Sequence, residues 1–337
     1  MQQPLRVLMV IPGSQKDNQS MIFIKRHIDL LEREGLNVER FFLESRTSLS
    51  ELRQSLCAFI ELQSKFKPDI VHCHYGTMTA LFCAIAARAH LVITFRGSDL
   101  NPTSNDRRFN GRWLRNKAGL ILSQLASLRA KRIICVSEQL RSRLWWPTVK
   151  SRTSVITTPV NLKSFHIMNK NEARGLLGWL QEDKVVIFNS GKRPKVKRLD
   201  LALEAVKVAK TFVNNIKFVD LGGVVPGDQV PILMNAADCL LMTSDYEGSP
   251  NVVKEAMACN LPVVSVNVGD VQERLHEVQP SKIVARDSLA LGKAMADIFN
   301  QNCRSNGRLV AQRDFSQGVI NKKTLDVYLL TVARHTN

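Results

Sequence analysis

The sequence predicts an α/β protein of two domains, each built on a parallel β-sheet. Short apolar runs alternate with segments of helical periodicity, which is typical of parallel strands that are covered on both faces. The chain opens with a strand, helix, strand unit over residues 5–43, and a new apolar strand begins the second half at 185–188. With 337 residues it is also longer than a typical single core. We therefore expect two Rossmann-like domains.

The elements follow from the same patterns in chain order. Apolar runs bounded by turn residues predict strands at 5–11, 38–43, 68–74, 91–95, 132–137, 155–158, 185–188, 216–219, 239–243 and 261–266. Apolar residues at helical spacing predict helices at 20–34, 50–66, 114–128, 138–144, 199–210, from 250 onward, and at 322–334. We place the domains at 1–162 and 163–318. The last helix, 319–337, is expected to pack back on the first domain.

Composition narrows the function classes. The formal net charge of +17 predicts a partner that is anionic: nucleic acid, an acidic membrane leaflet or a phosphorylated substrate. No apolar run reaches about 18 residues, and no secretory signal pattern opens the chain. The seven cysteines form neither a zinc pattern nor a disulfide framework. We expect a cytoplasmic protein.

The most informative stretch is 238–267, which reads as strand, loop, helix and strand. Ser249 is a good N-cap, and Pro250 suits the first position of a helix. Asn260 suits the left-handed residue that ends this helix. Such a unit places the loop and the helix N-terminus at the carboxyl ends of the strands, where open α/β sheets bind ligands. The backbone N–H groups after Ser249 are then a cradle for a phosphate.

Two carboxylates flank this cradle, with Glu247 in the loop and Glu255 on the second helical turn. Carboxylates are unsuited to a site for phosphate alone, because like charges repel. They suit a ligand with phosphates in its middle and hydroxyls at both ends, since a carboxylate accepts hydrogen bonds from a vicinal diol. A nucleotide sugar has this shape. The alternative is that both are ordinary solvated acids.

The spacing of Glu247 and Glu255, with Gly248 and the runs 256–258 and 262–264, resembles the E-x7-E signature of glycosyltransferase family 4. These are retaining enzymes of GT-B fold. The resemblance implies a metal-independent transfer, in which Glu255 holds the ribose diol and Glu247 the donor sugar. It also places the backbone of Gly248, Ser249, Pro250 and Asn251 against the donor.

The turn after the strand 185–188 is similar to the glycine-arginine turn of that family, which grips the donor diphosphate. Gly191 matches the glycine, Lys192 or Arg193 the arginine, and Lys197 the lysine that follows. A solvated basic loop is the alternative. The resemblance further places Val225, in the loop 223–226, near the nucleobase.

The first half of the chain contains fewer residues that match the family pattern. Gly13 and Ser14, after the first strand, are donor-binding candidates by resemblance, and a plain tight turn explains them equally well. The absence of G-x-G-x-x-G argues against a dinucleotide cofactor. We interpret His72 and His74 as facing opposite sides of their strand, so that they do not share a metal. His74 is an acceptor-side candidate, or a histidine hydrogen-bonded within the fold.

Arg96 departs from the family pattern, which usually has His-Gly where this chain has Arg96-Gly97. Arginine binds phosphate or sugar oxygens but does not titrate near neutral pH. We retain Arg96 with Glu247 and Lys197 as catalytic candidates. A non-catalytic relative that keeps the donor cleft is the alternative.

Basic residues and tryptophans interleave between Arg107 and Trp146. This combination suits the headgroup region of an anionic membrane. A solvated helix with tryptophans in the core is the alternative. No nucleic-acid-binding module accompanies the charge, so nucleic acid is not expected as a partner.

These observations predict a glycosyltransferase that moves a sugar from a nucleoside-diphosphate sugar to a hydroxyl of a glycan or lipid-linked acceptor. No cofactor is expected, since the nucleotide sugar is a substrate. We expect a role in cell-surface polysaccharide synthesis, at the inner face of the membrane. A sugar-nucleotide epimerase of the same fold is the rival enzyme.

Overall fold

A computed structural model describes residues 4–17, 21–101 and 111–333 of the chain. The contacts divide the chain into two compact units. The first contains residues 1–158 and 320–337, and the second contains residues 159–319. Each unit has its own parallel sheet, as the sequence predicts. In the first sheet, the strand that comes first in the chain is second in spatial order, and in the second sheet the first strand of the unit is fourth. An interior first strand of this kind is typical of the doubly wound arrangement.

The first sheet runs in the order β2-β1-β3-β4-β5-β6, and every pairing is parallel. Its strands are β1 (Arg6–Pro12), β2 (Asn37–Leu43), β3 (Ile70–His74), β4 (His90–Phe95), β5 (Arg132–Cys135) and β6 (Thr153–Val155). The helices around it are α1 (Ile22–Arg33), α2 (Leu49–Phe66), α3 (Thr77–Ala86), α4 (Gly111–Arg129), α5 (Glu138–Ser142) and α6 (Pro147–Ser151). Every residue of β3 is buried, because helices cover both faces of the sheet.

The second sheet runs in the order β11-β10-β9-β7-β8 and is also parallel. Its strands are β7 (Lys184–Phe188), β8 (Ile216–Asp220), β9 (Cys239–Met242), β10 (Val263–Val266) and β11 (Lys282–Val284). Its helices are α7 (Lys170–Leu177), α8 (Pro194–Lys197), α9 (Leu199–Ala209), α10 (Val230–Ala236), α11 (Asn251–Ala258), α12 (Val271–Leu275), α13 (Ser288–Gln301) and α14 (Gly307–Phe315).

The last helix, α15 (Gln317–Val332), returns the chain to the first unit. The Tyr328 hydroxyl on α15 hydrogen-bonds His72 Nδ1 on β3 at 2.5 Å, although 256 residues separate them. Both side chains are fully buried or nearly so. The C-terminal segment is therefore part of the core of the first unit. Within the described residues, no helix is long and apolar enough to cross a bilayer.

A buried guanidinium fixes the start of the second unit. Arg174 on α7 has no exposed surface and donates to the Asp238 carboxylate at 2.8 Å and to four backbone carbonyls. Asp238 also accepts from Lys170 and from the Val185 amide at 2.7 Å. Arg174 thus ties α7, β7 and the start of β9 together, at the amino ends of these two strands.

We predict that Arg174→Met lowers the free energy of unfolding by about 3 kcal/mol, since breaking a buried ion pair leaves charge and carbonyls unpaired. Chemical denaturation of the full chain measures this. Arg313→Gln is the control, because Arg313 is exposed and pairs only at the surface. Equal denaturation midpoints for the two variants would contradict the assignment.

Candidate functional site

The carboxyl edge of the second sheet carries the loop 243–250 and helix α11. The helix begins at Asn251, with Pro250 as its N-cap at φ −69° and ψ 119°, and no side chain caps it. The prediction that Ser249 is the N-cap and Pro250 the first helical residue is therefore wrong by one position. The Ser249 hydroxyl instead accepts from the buried Lys254 amine at 3.3 Å. Asn260 does end the segment at φ 55°, as predicted.

The loop that carries Glu247 rests on a glycine that the sequence analysis did not assign to the site. Gly269 follows β10 and has φ +60°, a conformation that favours glycine. A Cβ there would lie 2.9 Å from the Gly248 carbonyl oxygen and 3.1 Å from the Glu247 Cβ. Gly269 therefore permits the close approach that positions Glu247. It lies three residues beyond the end of β10, at the same edge of the sheet.

Lys197 reaches this loop because the turn containing it is fixed to the end of β9. The Thr243 hydroxyl donates to the Lys197 and Arg198 carbonyls at 2.7 and 3.0 Å, and the Asp245 amide donates to the Val196 carbonyl at 2.9 Å. Arg198 adopts the left-handed conformation that ends α8. These bonds leave the Lys197 side chain pointing along the edge of the sheet toward Glu247.

Lys197 Nζ donates to Glu247 Oε1 at 2.5 Å. Only 21% of the lysine side chain and 16% of the glutamate side chain are exposed. The sequence placed these residues on different parts of a ligand, and the structure brings them into contact with each other. A cation and an anion that lie side by side, largely shielded from water, are available to bind opposite charges when a ligand separates them.

The remaining predicted residues of this unit lie on loops and on α11, at the same edge of the sheet. Gly191 has φ +51°, and the Asp220 carboxylate accepts from the Ser190 and Gly222 amides at 2.9 Å each. Asp220 therefore joins the Gly191 turn to the loop that contains Val225, a role that the sequence did not reveal. Lys192 and Arg193 are exposed and, in the described part of the chain, form no ion pair. Glu255 is partly buried on the second turn of α11.

The first unit holds the other predicted residues, at the carboxyl ends of β1, β3 and β4. Gly13 has φ +107°, and its amide donates to the Leu43 carbonyl at 3.0 Å. The Ser14 hydroxyl donates to Glu44 Oε1 at 2.8 Å. His74 is buried, and its Nδ1 accepts from Arg96 Nη2 at 3.0 Å. Arg96 is partly exposed.

The interpretation that His72 and His74 face opposite sides of β3 is wrong. Residues two apart on a strand share a face, and the two imidazole centroids lie 4.0 Å apart. His72 hydrogen-bonds Tyr328 and the Thr94 hydroxyl, at 2.5 and 2.7 Å. His72 is thus a structural residue that links α15 to the sheet. Among the described residues, no three His, Cys, Asp or Glu side chains cluster as a metal site.

Burial sets the charge state of this histidine cluster. Desolvation, followed by the charge of Arg96, lowers the pKa of His27 to about 3. Desolvation also lowers the pKa of His72 and of His74 well below the usual value, with further contributions from Arg96 and from the neighbouring imidazoles. The three imidazoles are therefore neutral at neutral pH.

These lowered pKa values predict acid sensitivity. The unfolded chain binds protons at histidine below about pH 6.5, while the folded chain does not until about pH 3 at His27. The part of the folding stability that depends on a neutral His27 is complete above pH 6.5 and is lost as the pH falls below that value. We expect His27→Gln to remove a slope of about 1.4 kcal/mol per pH unit from the free energy of unfolding in that window.

Denaturant titrations of both proteins from pH 4 to pH 8 measure this slope. Above pH 7, the difference in the free energy of unfolding between the native chain and His27→Gln reports packing alone. This difference serves as the internal control. Parallel stability curves below pH 6 would show that His27 is not held neutral.

Comparisons with known proteins agree with this architecture. Residues 12–164 match the profile of Glycosyltransferase Family 4, and residues 184–301 match Glycosyl transferases group 1. The chain is 36% identical over 108 residues to a 2-deoxystreptamine N-acetyl-D-glucosaminyltransferase of Streptomyces fradiae, covering 32% of this chain and 24% of that protein. It is 24% identical over 252 residues to a glycosyltransferase assigned to teichuronic acid biosynthesis in Bacillus subtilis, covering 69% and 62%. The chain thus spans less than two thirds of the length of these relatives.

Solved structures show the same fold over nearly the whole chain. Sucrose-phosphate synthase from Thermosynechococcus elongatus has a TM-score of 0.74 at 17% identity, covering 97% of this chain and 98% of that one. Anabaena HepE in complex with UDP-glucose has a TM-score of 0.70 at 17% identity, covering 96% and 99%. Two α/β units with parallel sheets, matched by these neighbours, are the GT-B architecture that the sequence predicts.

Proposed function

The chain belongs to the family 4 glycosyltransferases of GT-B fold, and from this premise we propose that it transfers a sugar, with retention, from a nucleoside-diphosphate sugar to a hydroxyl acceptor. The observation that carries the proposal is the Lys197–Glu247 pair beside the N-terminus of α11. HepE binds UDP-glucose on the same fold, which supports a nucleotide sugar as the donor.

We propose that the donor exchanges partners with this pair. The diphosphate accepts from Lys197 Nζ and from Lys192 or Arg193, and it receives the backbone N–H groups at the start of α11. Glu247, released from Lys197, then accepts from hydroxyls of the donor sugar, while Glu255 accepts from the ribose diol. Gly13, Ser14 and Val225 are proposed as further donor contacts, and His74 as an acceptor-side contact.

In the proposed reaction, the bond from the anomeric carbon to the diphosphate oxygen breaks and its electron pair stays on that oxygen. The acceptor oxygen forms the new bond from the same face, and its proton passes to the departing diphosphate. Lys197 and the neighbouring cation neutralise the charge that develops on the diphosphate, which is the role that a metal ion has in other transferases. A metal-independent reaction is thus part of the proposal.

We predict that Lys197→Ala lowers kcat/KM by about 10²-fold or more, because a donor to the departing oxyanion is lost. Lys195→Ala is the matched control, since Lys195 lies on the same short helix with its side chain exposed. Release of nucleoside diphosphate, with and without a glycan acceptor, measures the effect once calorimetry with UDP-, GDP- and ADP-sugars has identified the donor.

The same assay separates the rival functions. Acceptor-dependent release supports transfer, whereas isomerisation of the donor without acceptor indicates an epimerase. Donor binding with neither reaction indicates a non-catalytic binding protein. Equal activity of the Lys197 and Lys195 variants would remove the diphosphate assignment.

We further propose that the acceptor is a glycan or a lipid-linked glycan in cell-surface polysaccharide synthesis, supported by the teichuronic acid relative. A surface of the first unit fits an anionic membrane. Four apolar residues on α4, between 46% and 61% exposed, recur at helical spacing on one face: Leu114, Ile121, Leu125 and Leu128. Exposed Arg115, Lys117 and Arg129 lie on the same helix.

Aromatic and apolar neighbours extend this α4 surface. Trp145 is 51% exposed, and its amide donates to the Gln124 side chain on α4 at 3.1 Å. Ile85 is exposed on α3, which packs against α4. Trp146 packs against the core instead. Arg107 and Arg108 of the predicted basic segment lie outside the described residues. Cations beside exposed apolar side chains favour peripheral binding at the inner membrane face.

We predict that Leu125→Glu weakens binding to vesicles rich in phosphatidylglycerol by about tenfold or more. The substitution removes apolar area that the membrane would bury, and it adds a negative charge that the anionic lipids repel. Leu309→Glu is the control, since Leu309 is an exposed leucine of the second unit. Vesicle flotation measures the effect. Equal binding of the native chain to phosphatidylcholine and phosphatidylglycerol vesicles would count against this surface.

A further inference from the structure

Arg96 is partly exposed, and it differs from Arg174 and Arg304 in how its charge is satisfied. Arg304 donates to four backbone carbonyls, and Arg174 donates to four carbonyls and to Asp238. Arg96 donates from Nη2 to His74 and, within the described residues, from no other side-chain nitrogen. Its Nε is buried without a hydrogen-bond partner.

The nearby carboxylate does not neutralise this guanidinium through a contact. Asp99 accepts instead from the backbone amides of Arg96, at 3.0 Å, of Gly97, at 2.7 Å, and of Gly76, at 3.0 Å. Gly76 cannot carry a side chain here, because a Cβ would lie 2.8 Å from the Asp99 Cβ. The Asp99 carboxylate therefore stabilises the loop after β4 through these amides. Arg96 forms no ion pair in the described part of the chain.

The other contacts of Arg96 are with a neutral imidazole and an apolar ring. A guanidinium cannot accept a hydrogen bond, so His74 Nδ1 must be the acceptor and its proton must sit on Nε2. That Nε2 is also buried without a partner in the described residues, as is Nε2 of His27. The Phe23 ring lies 5.1 Å from the guanidinium carbon. Three buried nitrogens thus lack partners in one region of the first unit.

Burial does not remove the charge of Arg96. Desolvation lowers its pKa to about 10, opposed by the charge of Asp99, so the guanidinium remains protonated at neutral pH. A partly shielded charge without an ion-pair partner is costly, and the cost is relieved when an opposite charge arrives with hydrogen-bond acceptors. A planar guanidinium suits the two oxygens of a carboxylate or a phosphoryl group.

We propose that Arg96, with His74 beside it, is a subsite for an oxyanion carried by one of the substrates, either the carboxylate of an acidic sugar or a phosphoryl group on the sugar. Arg96 follows β4 at the carboxyl edge of the first sheet, where open α/β sheets bind ligands. The inference rests on the proposed function and adds to it the chemical class of the substrate: a charged saccharide rather than a neutral one.

Three probes with the same pyranose ring test the proposal: methyl glucuronide, glucose 6-phosphate and methyl glucoside. Calorimetry on the full-length chain measures their affinities. We expect one or both of the anionic probes to bind about tenfold or more tightly than methyl glucoside, and this ratio to fall to about one in Arg96→Met. Arg96→Lys should keep part of the ratio, since it retains the charge but not the planar fork.

Arg53→Met is the control, because Arg53 is an exposed arginine of the same unit. The histidine ring resonances of ¹⁵N-labelled protein, with His74 assigned through His74→Gln, give a second readout. Binding at the subsite should shift the His74 signal, and this remains measurable on the native chain if Arg96→Met does not fold.

The pattern of affinities identifies the source of the charge. A preference for the glucuronide indicates a uronic acid substrate, and a preference for the 6-phosphate indicates a phosphorylated one. Equal affinity for all three probes, or a preference that survives in Arg96→Met, would overturn the subsite. If the native chain shows these preferences but binds none of the UDP-, GDP- and ADP-sugars, the proposed transferase is contradicted while the subsite stands, so the two failures are distinguishable.

Discussion

The geometry of the candidate site depends on a short set of hydrogen bonds from the end of β9 to the turn 194–198. The Thr243 hydroxyl and the Asp245 amide hold the carbonyls of Val196, Lys197 and Arg198. Without these bonds the Lys197 side chain would have no fixed origin, since it stands on a helix of a single turn. With them, a flexible lysine becomes a positioned cation. Positioning of this kind is what electrostatic catalysis requires, because the charges then need little rearrangement during reaction.

A second constraint acts on the acid of the pair. The Gly269 backbone passes so close to Gly248 that a side chain there would collide with the Glu247 loop. Arg286 adds two bonds to the Thr243 and Ser244 carbonyls, at 2.8 and 2.7 Å. The loop is thus supported by the segments that follow β10 and β11, which lie on the same side of β9 in the sheet. The backbone around each of the two residues is fixed by these contacts, so Glu247 and Lys197 lie side by side. Their mutual attraction further stabilises an arrangement that the backbone already favours.

The sequence predicted what depends on local pattern. The strand β9 was expected at 239–243 and lies at Cys239–Met242, and the helix expected at 199–210 lies at Leu199–Ala209. Apolar runs and helical spacing are properties of neighbouring residues, so they can be read without the fold. The start of α11 was placed one residue early, because serine is a good N-cap by residue type, whereas the helix has Pro250 at that position.

What depends on residues far apart in the chain could not be predicted. Fifty positions separate Lys197 from Glu247, and 256 separate His72 from Tyr328. Asp220 and Gly269 are unremarkable in the sequence, since their roles exist only once two loops lie side by side. The histidine pair shows a different kind of failure. The period of a strand places His72 and His74 on one face, and the opposite interpretation misapplied that period.

Arginine at position 96, where the family resemblance leads one to expect histidine, has a physical consequence in these surroundings. Burial keeps His27, His72 and His74 neutral at neutral pH, and a fourth imidazole in the same cluster would be subject to the same desolvation. Only a group with a much higher intrinsic pKa keeps its proton there, and Arg96 does, with a pKa of about 10. The first unit therefore holds a permanent positive charge where histidine would supply a neutral hydrogen-bonding group. A neutral sugar gains little from that charge, whereas an anionic one gains an ion pair in a region largely shielded from water.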